Sequence, residues 1–115
     1  MLRKPRGIDM VIYVDIDETI CNTEESKNNA RDYSFSEPIK ENIEKINRLY
    51  DEGHRIIYWT ARGTLTGIDW MDVTKEQFEK WGVKHHEVHM GKPYYDLFIC
   101  DKAINSDLFF GDING

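Results

Sequence analysis

The sequence predicts an α/β fold in which a parallel sheet carries helices on both faces. Short apolar runs alternate along the chain with segments of helical periodicity, and the runs end on polar residues. Strands that alternate with helices in this way lie parallel and are joined by right-handed crossovers. The 115 residues suffice for one hydrophobic core but leave no room for a second domain of ordinary size.

The first strand and the first helix are predicted within the first half of the chain. Val11–Val14 is a β-branched and aromatic run, typical of a buried strand. The polar stretch from Asn22 to Ser36 predicts a loop or flap at the end of that strand. Pro38 stands where a first helical turn begins, and apolar residues recur at helical spacing from Ile39 to Leu49. Gly53 then ends the helix.

The second half of the chain predicts three more strands and a short helix. Arg55–Trp59 is a second buried strand. Thr74–Gln77 matches a capping box that would begin the second helix, and Gly82 ends it. Glu87–Met90 is a third strand, and Leu97–Cys100 is a stronger fourth.

These elements predict a single domain over residues 10–115. Met10 directly precedes the first strand, which is compatible with a leader or added segment over residues 1–9. The chain has neither a membrane-length apolar run nor a secretory signal, so we expect a cytoplasmic protein without a membrane partner. Its two cysteines lack the Cys-x-x-Cys spacing of a zinc site.

The net charge of the chain restricts the kinds of ligand that it can bind. The formal net charge is −6, with 15 basic and 21 acidic residues. Nucleic-acid binding that depends on many phosphate contacts needs a basic face, so we expect no nucleic-acid partner. A small anionic substrate remains compatible with this charge, because one cation and one or two basic residues can hold a single phosphate.

Polar residues directly follow three of the predicted strands. Asp15, Thr60 and Asp101 come immediately after apolar runs. Because the carboxyl ends of parallel strands meet at one edge, we expect these three side chains to lie there together. Asp17 follows two residues after Asp15, so one carboxylate can attack phosphorus while the other transfers protons.

A calcium-binding loop beginning at Asp15 is excluded by its later positions. Position six of an EF-hand loop needs Gly, and this chain has Ile20 there. Position twelve needs Glu, and this chain has Ser26. The alternative that remains is a solvated junction between a strand and a loop, since acidic residues are common in turns.

The segment Asp15-Ile-Asp-Glu-Thr19 resembles the first motif of the haloacid dehalogenase (HAD) superfamily, and three further motifs of that family follow in order. The resemblance implies a three-layer Rossmann-like core without a cap domain. It makes Asp15 the nucleophile and Asp17 the general acid/base, and Thr19 is assigned to substrate binding.

The remaining motifs supply the phosphate and metal contacts that the resemblance implies. Thr60 is similar to the second-motif hydroxyl that holds a phosphoryl oxygen, and Lys92 is similar to the third-motif lysine. Asp101 is similar to the fourth-motif ligand that binds Mg²⁺ with Asp15 and the Asp17 carbonyl. Many relatives have two adjacent acids at this place, whereas this chain has Cys100 before Asp101. Separately, Arg62 is a candidate to grip a second group of the substrate.

The resemblance therefore implies a Mg²⁺-dependent phosphatase that forms an aspartyl-phosphate. The run from Gly91 to Asn105 most resembles small phosphatases of capsule polysaccharide biosynthesis, which favours a sugar, sugar-acid or polyol phosphate as substrate. An open site of this kind is compatible with a homo-oligomer whose neighbouring subunit covers it. The alternatives are a polynucleotide 3'-phosphatase and a phosphate-binding or regulatory module that has lost catalysis.

Overall fold

The computed structural model describes residues 9–23 and 32–111. Its strands are β1 (Val11–Val14), β2 (Cys21–Asn22), β3 (Glu37–Pro38), β4 (Arg55–Trp59) and β5 (Glu87–His89). Its helices are α1 (Lys40–Asp51), α2 (Met71–Trp81) and α3 (Ser106–Gly111), with a 3-10 turn at Tyr33–Phe35. Within these described ranges, no helix is long and apolar enough to cross a membrane.

The main sheet consists of β1, β4 and β5 in that order, and all three strands are parallel. Ile12 pairs with Ile56 across the first interface, and Tyr58 pairs with Val88 across the second. Helices α1 and α2 provide the two crossovers. The predicted α/β class, with a parallel sheet flanked by helices in a Rossmann-like core, is confirmed.

One face of the sheet packs against α1 and α2. The buried cluster takes Val14, Ile56 and Tyr58 from the strands, Ile43, Ile46 and Leu49 from α1, and Phe78 from α2. Full burial of each large apolar side chain stabilises the fold by roughly 1.5–3 kcal/mol. Both crossover helices therefore cover this one face of the sheet, whereas the sequence predicted helices on both faces. Because β4 and β5 are added in the same direction from β1, right-handed crossovers place α1 and α2 on the same side.

The other face of the sheet is more open at β1. Val11 and Tyr13 are each 60% exposed, whereas Ile57 on the neighbouring strand is buried. The ring of Tyr13 contacts Trp59 edge-on, with 6.1 Å between their centroids. In the part of the chain described here, β1 is also an edge strand of the sheet.

Helix α1 confirms the predicted amphipathic helix, with one correction at its start. Pro38 does not begin the helix, because it pairs with Cys21 in a short antiparallel ribbon formed by β2 and β3. The helix starts two residues later, at Lys40. It stops before Gly53, whose φ of 102° is strained for any residue with a side chain.

Helix α2 also exists, but the predicted capping box is wrong. The helix begins at Met71, so Thr74 and Gln77 lie inside it. Both side chains are buried, and both hydrogen-bond the guanidinium of Arg62. Gly82 ends the helix in the left-handed conformation, as predicted.

The predicted third strand is confirmed as β5, and the predicted fourth strand is wrong. Residues from Leu97 to Cys100 form no strand, and Leu97 and Ile99 are 76% and 87% exposed. An apolar run becomes a strand only when a neighbouring strand pairs with its backbone. In the described residues the sheet consists of β1, β4 and β5, and the run pairs with neither of its edge strands.

Two predictions fall partly or wholly outside the described residues. The loop or flap from Asn22 to Ser36 is described only at its two ends, which are the β2–β3 ribbon and the 3-10 turn. The leader or added segment proposed for residues 1–9 is described only at residue 9.

Candidate functional site

The candidate site lies at the carboxyl edge of the main sheet. Asp15 directly follows β1, and Thr60 directly follows β4, the neighbouring strand. Lys92 follows β5 by three residues, and its backbone N–H donates to the Thr60 carbonyl at 3.0 Å. The Lys92 ammonium Nζ lies 3.7 Å from Asp15 Oδ2. The structure thus brings together three residues that are far apart in sequence. Asp15 and Thr60 were predicted to meet from their positions at strand ends, and Lys92 was predicted from its motif resemblance.

The environment of Asp15 favours a reactive carboxylate. Its side chain is 42% exposed, and its Oδ1 accepts a hydrogen bond from the backbone N–H of Ile16 at 2.9 Å. Burial raises the pKa of Asp15 above the ordinary value of 3.8, while attraction to Lys92 and the Ile16 hydrogen bond act in the opposite direction. Partial burial thus disfavours the ionised form of Asp15, and Lys92 and the Ile16 N–H stabilise that form.

Thr60 and Thr19 are both nearly inaccessible. Thr60 is 1% exposed, and its hydroxyl oxygen accepts a hydrogen bond from the Arg62 backbone N–H at 3.1 Å. Its hydroxyl proton can therefore be donated to a second acceptor. Thr19 is 8% exposed, and its carbonyl accepts from the side chain of Asn42 on α1 at 2.8 Å. Thr19 thus ties the turn after Asp17 to that helix.

The carboxylate of Asp17 is held by Arg62 through two hydrogen bonds. Arg62 Nε donates to Oδ2 and Nη2 donates to Oδ1, each at 3.0 Å. The hydroxyl of Thr23 also donates to Oδ1, at 2.7 Å. The Asp17 side chain is only 12% exposed, so this paired geometry fixes its orientation.

Arg62 lies in a different place from the one predicted for it. Its side chain is 0% exposed, and its guanidinium is hydrogen-bonded within the protein interior. Nη1 donates to Thr74 and Gln77 of α2, at 2.9 and 2.7 Å, and the guanidinium lies 4.8 Å from the ring centre of Tyr33. A buried guanidinium is tolerated only when it is paired and hydrogen-bonded. The predicted contact between Arg62 and substrate is therefore corrected, because these internal contacts engage its donors.

Cys21 lies beside the same ion pair. Its Sγ is 3.4 Å from Asp17 Oδ1 and 3.7 Å from Arg62 Nη2. Burial, and then repulsion from Asp17, raise the pKa of this thiol to about 12. Cys21 is thus a buried, protonated thiol that contacts the Asp17–Arg62 pair, and it has no thiolate character at neutral pH.

Asp101 does not join the other carboxylates. Its side chain is 82% exposed and pairs with the adjacent Lys102 at 3.1 Å. The fourth strand that should have carried Asp101 to the sheet edge does not form, which is the physical reason for this correction. Within residues 9–23 and 32–111, no group of three acidic, thiol or imidazole side chains is arranged to hold a metal ion. As placed, Asp101 does not join Asp15 and the Asp17 carbonyl in the ligand set that the resemblance implies.

Sequence reasoning missed the polar residues that surround Arg62. Thr74 and Gln77 occupy the buried face of α2 beside Phe78, where an amphipathic helix normally has apolar residues. Two polar residues on an apolar face are a signal that a charged side chain is buried against it. Ser36, 8% exposed and 3.4 Å from Arg62 Nη2, gave no such signal, because it lies in an irregular segment.

The fold is similar to that of a structural-genomics target from Vibrio cholerae, known from its crystal structure. The two chains superpose with a TM-score of 0.74 at 25% sequence identity, over 88% of this chain and 87% of the other. No family model matches this chain, and no curated protein matches it. The likeness supports the α/β fold over most of the chain.

Proposed function

We propose that this protein is a phosphomonoester hydrolase in which Asp15 is the nucleophile. The observation that carries the proposal is the 3.7 Å approach of Lys92 Nζ to Asp15 Oδ2 beside Thr60 at the carboxyl edge of the sheet. A carboxylate, an ammonium and a hydroxyl at one strand edge can attack a phosphoryl group and stabilise its charge. The HAD resemblance of the same residues supports this assignment.

The reaction proceeds in two displacements. An oxygen of Asp15 forms a bond to phosphorus while the ester P–O bond breaks, and Asp17, which must enter the cycle protonated, gives its proton to the departing alkoxide. Asp17 then takes a proton from water, whose oxygen attacks phosphorus and releases inorganic phosphate and the Asp15 carboxylate. Lys92 and Thr60 hold the phosphoryl oxygens throughout. Because Arg62 binds both oxygens of Asp17, one of those bonds must give way before Asp17 reaches the leaving group.

The substrate class we propose is a small phosphorylated metabolite, namely a sugar, sugar-acid or polyol phosphate, as in capsule polysaccharide biosynthesis. The acidic net charge of −6 supports a small substrate over a polynucleotide. Cys21 and Cys100 are free thiols, which supports a reducing, cytoplasmic location. Dependence on Mg²⁺ remains a prediction from the resemblance.

A phosphomonoester panel tests the proposal. Sugar, polyol, nucleotide and 3'-phosphorylated oligonucleotide substrates are assayed with Mg²⁺ and with EDTA. We expect turnover of at least one small substrate, and a loss of about 1,000-fold or more in Asp15→Asn. The control is Asp51→Asn, which removes an exposed carboxylate from α1 and should leave the rate unchanged. Equal rates in Asp15→Asn and wild type would refute the nucleophile.

A phosphate-binding module without turnover is the second candidate. It is favoured by the pairing of Asp17 with Arg62 and by the position of Asp101 away from the site. Calorimetric titration with inorganic phosphate distinguishes the two functions. Phosphate binding that depends on Lys92, combined with no hydrolysis across the panel, would support the module. Hydrolysis of any panel member would exclude it.

A further inference from the structure

A small cleft lies beside the candidate site, between the loop after β4 and the segment after β5. Its volume is about 130 Å³. One wall contains Gly63, Asp69 and Trp70, and Met90 and Gly91 belong to the other. Pockets that enclose whole drug-sized ligands measure roughly 300–1,000 Å³. This cleft is smaller, so it can hold only a small group of a few non-hydrogen atoms.

The loop that forms one wall of the cleft has a fixed shape. Gly63 has a φ of 80°, and a Cβ placed on it would lie 2.1 Å from the carbonyl oxygen of Ile68. The backbone N–H of Gly67 donates to the Gly63 carbonyl at 2.8 Å, which closes the loop on itself. The cleft is thus built by a close backbone approach that only glycine permits at position 63.

Two connections join the cleft to the Asp15–Lys92 pair. Gly91 lines the cleft and directly precedes Lys92, whose ammonium lies 3.7 Å from Asp15. From the opposite wall, the hydroxyl of Thr64 donates to the Lys92 carbonyl at 2.7 Å. A phosphate held by Lys92 would therefore have this cleft next to it.

The chemistry of the cleft suits a neutral, hydroxyl-bearing group. Half-buried Trp70 and Met90 offer apolar surface to the C–H edges of a polyol or sugar. One oxygen of Asp69 accepts the Met71 backbone N–H at 2.9 Å, and the carboxylate retains sites for ligand hydroxyls. The charge of Arg62, the one cation that lines the described cleft, is already balanced by Asp17.

We propose that this cleft binds the leaving group of the substrate and selects small neutral polyol or sugar phosphates over sugar-acid phosphates. The inference rests on the proposed function and narrows its substrate class. Asp69 excludes a second anionic group by charge repulsion, and Trp70 and Met90 contact the carbon skeleton. Asp69, Trp70 and Met90 are thus specificity residues, distinct from the groups that act on phosphorus.

Two substrates that differ by one carboxylate test this selection. Glycerol 1-phosphate has a neutral three-carbon leaving group, and 3-phosphoglycerate has an anionic one. p-Nitrophenyl phosphate serves as a reference for the chemical step. We expect wild type to favour glycerol 1-phosphate about 10-fold or more in kcat/KM. Equal kcat/KM for the two three-carbon substrates in wild type would overturn the inference.

Variants identify the residue responsible. Asp69→Asn removes the charge but keeps the oxygen that accepts the Met71 N–H. We expect it to reduce the preference about 5-fold, through a lower KM for 3-phosphoglycerate. Met90→Lys adds a cation to the cleft and should likewise reduce the preference for glycerol 1-phosphate over 3-phosphoglycerate. The control is Asp72→Asn, which removes the same charge from an exposed position on α2.

The two proposals fail in different ways. Turnover of p-nitrophenyl phosphate with identical preferences in Asp69→Asn and Asp72→Asn would overturn the cleft assignment and leave the phosphatase standing. No turnover of these three substrates or of any member of the phosphomonoester panel by the wild-type protein would overturn the phosphatase and the cleft assignment together.

Discussion

At the scale of single residues, the contact between Arg62 and Asp17 dominates the interior of the site. Arg62 is fully buried, and its partners come from five segments: the turn after β1, β2, the 3-10 turn, the residue before β3, and α2. Removing one partner of a buried ion pair leaves the other charge uncompensated, which is far more costly than losing an exposed pair. The pair therefore orders both the site and the elements around it.

Arg62→Met should strongly destabilise the protein. We expect the free energy of unfolding to fall by about 3–5 kcal/mol, because Asp17, Thr74 and Gln77 lose their partner. Urea denaturation followed by circular dichroism measures this change. Arg55→Met is the matched control, since Arg55 pairs with Glu87 on the surface and should contribute less than about 1 kcal/mol. Equal losses in the two variants would contradict the account of the buried pair.

The two cysteines should differ in reactivity. Cys21 is 0% exposed with a pKa raised to about 12, whereas Cys100 is exposed. Only thiolate reacts with disulfide reagents, so one thiol should react quickly at pH 8 and the second only after unfolding. Cys100→Ser should abolish the fast phase. Two fast thiols in the native protein would show that Cys21 is not enclosed.

At the scale of elements, the centre of β4 contains an uncompensated polar group. Tyr58 is fully buried, and within the described residues its hydroxyl has no hydrogen-bond partner. A buried hydroxyl without a partner loses its hydrogen bonds to water on folding and gains none in return, which lowers the free energy of unfolding. Tyr58→Phe should therefore raise the free energy of unfolding by about 1 kcal/mol. The control is Tyr13→Phe, at a position on β1 that is 60% exposed, and it should change the free energy of unfolding little. A destabilised Tyr58→Phe would indicate that the Tyr58 hydroxyl has a partner.

The loop after β4 offers a second element-scale test. Gly63 and Gly67 have nearly the same φ, 80° and 78°, so alanine should add similar backbone strain of about 1–2 kcal/mol at each. A Cβ built on Gly67 has no atom within 4 Å, whereas a Cβ built on Gly63 lies 2.1 Å from the carbonyl oxygen of Ile68. Gly63→Ala should thus be clearly the more destabilising in thermal unfolding. Equal losses would mean that the loop can relax.

Local patterns predicted most of the elements, and non-local pairing explains the errors. α1 and β4 were predictable because helical spacing and a β-branched run are properties of neighbouring residues. The capping box at Thr74 failed because its residues serve Arg62, twelve positions earlier. The strand predicted at Leu97–Cys100 failed because strand formation depends on a distant partner, which the sequence pattern does not specify.

At the scale of the whole molecule, the sheet decides which site residues meet. Asp15 and Thr60 were predicted together because parallel strands share one carboxyl edge, and their strands are neighbours in the sheet. Lys92 was predicted from the motif resemblance, and its ammonium lies 3.7 Å from Asp15. Asp101 depended on a strand that the described sheet lacks. The role of Arg62 was not predictable, because nothing in the local sequence shows that a guanidinium after a strand turns inward.

The central claim, covalent catalysis by Asp15, is tested most directly by trapping the intermediate. The protein is mixed with a substrate that it turns over, quenched during the reaction, reduced with borohydride and digested for peptide mass spectrometry. We predict that reduction marks position 15, and that the mark is absent without substrate and in Asp15→Asn. Turnover with no modification at Asp15, or with modification at another carboxylate, would contradict the account.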